Sequence, residues 1–296
     1  MRLYSGLLFF KAGSASGFMT ISSFSAENSL ETAEFLLKHE IKCVSLIQKL
    51  KDSPSEVFIF RNTKTNAIAG IISVSAGGSI LHCLPDLQVI VAAEKLILTL
   101  VKNRTLFCIN GEKKASQALA DFFYSHGFQK PKIINNYILM NRKSSVIPEK
   151  CNSNGLIFKK CTENDAKFLL PLELAYQKEE VLADSQKINP AVCSYSLMRR
   201  LKTQIVFSAE KNGKIVAKAG TNALSWNYAQ LGGIYTLPEY RRQNIAFLTV
   251  RTLLAFLFSC RKNAVLFVNE KNTKALNLYK KLEFSEVCPY QIAYFQ

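Results

Sequence analysis

Apolar residues between Glu27 and Leu50 (Leu30, Ala33, Phe35, Leu36, Leu37, Ile41, Val44, Leu46, Ile47 and Leu50) recur at helical spacing. They predict one broken helix or two successive amphipathic helices. The period then changes. Val57–Phe60 and Ala67–Val74 read as strands joined by the turn-rich Arg61–Asn66, and Ile80–Leu84 as a third strand. Val89–Val101 predicts a helix, Thr105–Ile109 a strand, Lys114–Ser125 a helix ending at Gly127, and Lys132–Met140 a strand.

The same order returns in the second half. FIFRNTKTNAIAGIISVS (Phe58–Ser75) parallels IVFSAEKNGKIVAKAGTN (Ile205–Asn222), Leu84–Gln88 parallels Leu237–Arg241, and Phe122–Phe128 parallels Leu278–Phe284. We infer a tandem repeat of one α/β fold with a mixed sheet. Asn141–Gly155 concentrates Ser, Asn, Pro, Lys and Gly and reads as the linker, which divides the chain into residues 1–146 and 147–296. Beyond it, Leu156–Lys159 reads as a strand, and Thr162–Asp165 opens a helix that carries Tyr176, Glu179 and Glu180.

At 296 residues, 48% apolar and 20% charged, the chain is a globular protein of two-domain size. The net charge of +16 suits anionic partners, but no basic run or nucleic-acid motif accompanies it, so nucleic acid is not the expected partner. The eight cysteines form no C-x-x-C and have no nearby His pattern, which predicts reduced thiols, no metal site and a cytoplasmic location. Residues 1–17 faintly mimic a signal peptide, and no segment reaches the ~20 apolar residues of a membrane span.

The chemistry concentrates in Gly232–Ala246, GGIYTLPEYRRQNIA. Tyr228–Thr236 fits a strand, Pro238 forces a turn, and Ile245–Phe258 is apolar with room for about four helical turns. Arg241, Arg242 and Gln243 therefore precede a helix N-terminus, where free N–H groups and the helix dipole suit a phosphate or pyrophosphate. That helix is apolar almost all the way round, which predicts cover on more than one side, by the first half or by a second copy in a homodimer.

Arg241-Arg242-Gln243-Asn244-Ile245-Ala246 resembles the cofactor loop of the GNAT superfamily of N-acetyltransferases, Gln/Arg-x-x-Gly-x-Gly/Ala. Asn244 replaces a glycine, and Asn is the next residue most tolerant of left-handed backbone. Leu266–Phe284, with Asn272, Ala275 and Tyr279 in N-x-x-A-x-x-x-Y spacing, resembles the family's next strand and helix, with Glu283 where Gly is usual. The resemblance implies two GNAT-like acyl-CoA N-acyltransferase folds in tandem. The first is degenerate, since Gln88, Val89, Ile90 and Val91 replace the cofactor loop and Phe123 replaces Tyr279.

The resemblance further implies acetyl-CoA as cofactor. Ile234, Tyr235 and Thr236 would hold its pantetheine arm, and the loop from Arg241 to Ala246 with Phe247, Asn269, Asn272, Ala275 and Tyr279 would complete its site. Tyr279 would protonate the leaving thiolate, and the acceptor would be a primary amine of a small molecule or peptide. The expected base is Glu179 or Glu180, directly or through water, because all three histidines lie in the first half. Lys218, in a run of small and apolar residues, is a further candidate that strand alternation could equally turn outward. The rival expectation is a decayed acyl-CoA sensor without turnover.

Overall fold

A computed structural model of the protein describes residues 19–146, 155–181 and 188–295. The ambiguous first seventeen residues and the expected boundary at residue 147 lie outside them. The chain forms two compact units. The first takes the chain up to Leu139 with Phe267–Asn272 and Glu286 onward; the second takes Met140–Leu266 with Thr273–Ser285.

In the first unit, β1 (Met19–Ser23) precedes α1 (Ser29–Leu37) and α2 (Val44–Asp52), so the helical spacing after Glu27 resolves into two helices. β2 (Val57–Asn62), β3 (Ile68–Val74) and β4 (Ser79–Cys83) continue the antiparallel order from β1. The predicted helix Val89–Val101 is broken into α3 (Gln88–Ala92) and α4 (Glu94–Val101), because Ala93 leaves helical geometry at φ −108°, ψ 20°. β5 (Cys108–Glu112) is parallel to β4 and starts three residues later than predicted, at the point where Cys108 meets Ser79. α5 (Lys113–Ser125) and β6 (Ile133–Arg142) follow.

The second unit repeats this order. β7 (Ile157–Lys160) leads to α6 (Ala166–Tyr176), a π-helical turn at Gln177–Val181, and α7 (Pro190–Thr203). Asn189 caps α7 by accepting from the Ala191 and Val192 amides. β8 (Val206–Lys211), β9 (Lys214–Leu224) and β10 (Tyr228–Thr236) are antiparallel in turn. α8 (Ile245–Ser259) precedes β11 (Asn263–Asn269), which is parallel to β10. Three antiparallel pairings and then a parallel one, in both units, establish the repeat. α9 (Thr273–Lys281) and β12 (Ser285–Tyr294) close the chain. β12 belongs to the first unit, where Tyr290 pairs with Glu112 and Tyr294 with Cys108.

The repeat reaches single dihedrals. Gly127 ends α5 at φ 86° and Glu283 ends α9 at φ 62°, and the following amides, of Phe128 and Phe284, each reach back 3.0 Å to the carbonyls of Phe123 and Tyr279. Both are left-handed C-terminal stops. Glu283 tolerates a position suited to glycine while its carboxylate pairs with Arg142 at 2.7 Å.

α8 packs over Leu156, Ala209, Val216 and Ala217, whereas α6 and α7 enclose a separate cluster of Cys161, Leu169, Leu197, Leu201 and Val206. Within its own unit α8 also meets strand residues at Phe256, against the Phe207 ring and the Lys160 ammonium, and at Phe258, against the Arg142 guanidinium. Ala255 and Ser259 stay exposed.

Buried polarity in the first unit predicts an acid response. His82 on β4 is 5% exposed, with Nε2 2.8 Å from Ser116 Oγ. Burial pulls its pKa down to about 4. The unfolded imidazole, near 6.5, therefore binds a proton that the folded one refuses, and stability falls as pH drops from about 6.5 to about 4, by ~3 kcal/mol in all. Urea midpoints at pH 7 and pH 4 for the wild type and His82→Gln check this. The fall should be smaller in the variant, and equal falls would remove His82 as the cause.

Candidate active site

The site grows from an irregularity in β10. On β9 the register advances two residues, from Gly220 to Lys218, while β10 advances three, from Gly232 to Tyr235. The extra residue is a bulge, which bends a strand and re-aims its side chains. Gly233 supplies the left-handed φ of 62° that the bulge requires. On its other side β10 pairs with β11 only from Tyr228↔Asn263 to Gln230↔Val265. Among the described residues the backbone from Leu231 to Thr236 has no β11 register partner, so Ile234, Tyr235 and Thr236 lie in a stretch that is open on that side.

After the turn at Pro238, Arg241 is extended, Arg242 is left-handed at φ 62°, and Asn244 is left-handed at φ 63°, ψ 7°. Asn244 thus adopts the backbone for which its glycine-like tolerance was noted. Left-handed residues within a turn aim amides into a concave nest suited to anions. The first α8 amide bonded within the helix is that of Leu248, to the Asn244 carbonyl at 3.1 Å, so those of Ile245, Ala246 and Phe247 remain for a ligand. Gln243 is held by Lys211 Nζ at 2.8 Å, and all of Arg241 to Asn244 is exposed.

Glu179 joins the loop to the strand. Its Oε2 accepts from Tyr235 Oη at 2.8 Å and Arg241 Nη2 at 2.7 Å, while Arg241 Nε donates to the Thr236 carbonyl at 3.0 Å. The hydrogen bond from Arg241 holds the Glu179 carboxyl below its ordinary pKa, and burial with Glu179 beside it pushes Tyr235 up to about 12. A carboxylate held this way is a weak proton acceptor until Arg241 lets go.

Behind this triangle lies a buried ionic cluster. Lys218, the β9 partner of Tyr235, is 3% exposed and faces inward. Its Nζ lies 2.7 Å from Glu173 Oε2, donates to the Gly233 carbonyl at 3.0 Å, and sits 4.2 Å from the centre of the Tyr176 ring. Burial pulls its pKa down to about 8 against the pull of Glu173. Glu173 Oε1 accepts from Gln177 Nε2 at 3.0 Å and lies 3.9 Å from Arg200 Nη1. The sequence suggested Lys218 alone. Glu173 and Arg200 were missed, although a single Glu among the leucines of α6 is the matching signal.

Tyr279 is buried, its ring edge-on to Phe284 at 5.9 Å, and burial, with the fields of Tyr176 and Glu180, raises its pKa. It stays protonated at any physiological pH, as a proton donor must. Glu180 is exposed and Ala275 half-buried. Asn269 and Asn272 stand at the turn before α9, where the Asn272 amide donates to the Asn269 carbonyl at 2.9 Å, and both belong to the first compact unit.

An acyl-CoA fits this residue set: an arginine-rich nest, three first-turn amides, a strand segment open on its β11 side, and Thr236 Oγ1, buried without a partner among the described residues. The first unit offers none of this at the matching place. There α3 has only five residues, its N-cap Leu87 is right-handed, and Val89 and Ile90 are buried.

Residues 173–284 match the family model of the Acetyltransferase (GNAT) family. Three solved structures are similar. A Drosophila protein is 11% identical, with 93% of this chain and 98% of that one covered at a TM-score of 0.65. A tandem GNAT protein of the clavulanic acid biosynthesis pathway is 10% identical, with 94% and 99% covered at 0.55. A protein from Novosphingobium aromaticivorans assigned as a GNAT acetyltransferase is 19% identical over 55% of this chain, which spans 65% of that protein's length, at 0.43. The first two show the fold along nearly the whole chain. No curated protein sequence matches it. No helix among the described residues is long and apolar enough to cross a membrane.

Proposed function

We propose that the protein is an N-acetyltransferase that moves an acetyl group from acetyl-CoA to a primary amine by direct attack in a ternary complex. The observation that supports this best is the backbone of Leu231–Thr236, without a register partner on its β11 side, leading directly into the arginine nest at the start of α8. Acetyl-CoA supplies an acetyl group activated as a thioester. Arg241, Arg242, Gln243 and the amides of Ile245, Ala246 and Phe247 hold its pyrophosphate, and the backbone of Ile234, Tyr235 and Thr236 holds its pantetheine arm.

As the amine nitrogen bonds to the acetyl carbon and the carbon–sulfur bond breaks, one proton leaves nitrogen and one reaches sulfur. Glu179 or Glu180 accepts the first, directly or through water, and the Tyr279 hydroxyl gives the second. The first unit, with Val89 and Ile90 buried where the nest would be, holds no cofactor and serves as a scaffold or as a substrate-gripping module.

Calorimetry with CoA and release of free thiol from acetyl-CoA over an amine panel test this reading. Tyr279→Phe should keep CoA affinity and lower turnover at least tenfold, because only the proton donor is lost. Unaffected turnover would make Tyr279 a packing residue. CoA binding without transfer to any amine would favour a sensor.

A further inference from the structure

The charges behind the β10 bulge do not balance. Both oxygens of Glu173 are engaged, Oε2 by Lys218 Nζ at 2.7 Å and Oε1 by Gln177 at 3.0 Å. Arg200 approaches Glu173 only at 3.9 Å, and among the described residues its guanidinium makes no hydrogen bond. Among the described residues, two cations and one carboxylate leave one positive charge there, and Glu179 is already occupied by Arg241 and Tyr235. The Arg200 side chain is 28% exposed, so a solute can reach it.

Its position gives the surplus charge a use. The guanidinium lies against Gly233, where a Cβ would come within 2.7 Å of Nη1. Gly233 adjoins Ile234–Thr236, the backbone segment assigned above to the donor. At ~3.3 Å per strand residue, an anion at Arg200 and an amine beside the near end of that segment, Ile234, stand ~3 Å apart, the distance between amine and carboxylate in an α-amino acid. A planar guanidinium with free N–H groups suits a carboxylate in two-point contact.

We propose that the acceptor is an amino acid, whose amine takes the acetyl group while Arg200 binds its carboxylate. The inference rests on the acetyltransferase reading and names its substrate class. The reaction balances as before: the amino acid and acetyl-CoA give the N-acetyl amino acid and CoA, with the amine proton passed to the base and the thiolate protonated.

The test uses the full chain and thiol release from acetyl-CoA with paired acceptors: alanine against ethylamine, phenylalanine against phenethylamine, and glutamate against 4-aminobutyrate, which lacks only the α-carboxylate. Wild-type kcat/KM should be at least tenfold higher for the α-carboxylated member of at least one pair. Arg200→Met should bring that ratio towards one, chiefly through KM, and Arg200→Lys should keep part of it. A ratio does not depend on how much variant protein is folded. Wild-type preference for the members without the α-carboxylate, transfer to none of the α-amino acids, or an unchanged ratio in Arg200→Met would each overturn the inference. Failure of the wild type to bind CoA would overturn the acetyltransferase reading itself, and the inference with it.

Discussion

Lys218→Met is expected to destabilise the protein by about 3–5 kcal/mol, since it leaves the Glu173 carboxylate, 3% exposed, without the ammonium 2.7 Å away. Gln177 and a guanidinium at 3.9 Å are poor replacements. The Gly233 carbonyl also loses its donor, so the bulge loosens where the strand must present its backbone. The double change Lys218→Met with Glu173→Leu should recover most of the loss, because a buried ion pair replaced by apolar residues of similar volume is often close to neutral. Urea titrations of the wild type, the single variant and the double variant decide this. A single-variant cost under ~1 kcal/mol would mean that water reaches Glu173 readily and that the pair is not structural. Turnover need not follow stability: the double variant should fold well and still transfer acetyl groups poorly, because the bulge no longer has its anchor.

Arg241→Ala with Arg242→Ala should weaken CoA binding by more than an order of magnitude. Charge-assisted hydrogen bonds to phosphate contribute ~1.5–3 kcal/mol each. Part of that is offset at Arg241, whose guanidinium must first leave Glu179. The same competition gives a result of opposite sign: Glu179→Gln should tighten CoA binding severalfold, since a neutral amide holds Arg241 less firmly and no longer repels the pyrophosphate. Isothermal calorimetry on the three proteins reads both effects. Unchanged affinity in the arginine double variant would sink the loop assignment, and weaker binding in Glu179→Gln would show that the carboxylate arranges the loop rather than obstructing it.

The loop was legible because its signals are local. A proline after a strand, two arginines, and an asparagine at the entry to an apolar run specify a turn and a helix start through steric rules that act over a few residues. The left-handed conformation of Asn244 follows from the same short-range sterics. The start of α7 was equally local, since Asn189 and Pro190 are a strong helix-start pair, and it went unread amid residues without strong periodicity.

What the sequence by itself determined was the order of elements, their repetition, and the asymmetry between a half with a basic nest and a half with Val89 and Ile90 in its place. These are properties of spacing and of side-chain type. Only the tertiary structure decided that Glu179 binds Arg241 across 62 residues, that Lys218 turns inward to Glu173 rather than outward, and that the last strand pairs with β5. Each depends on a register or a bulge. Adding one residue to a strand reverses the side chains that follow, and nothing in the local pattern of β9 or β10 records on which face the count will end.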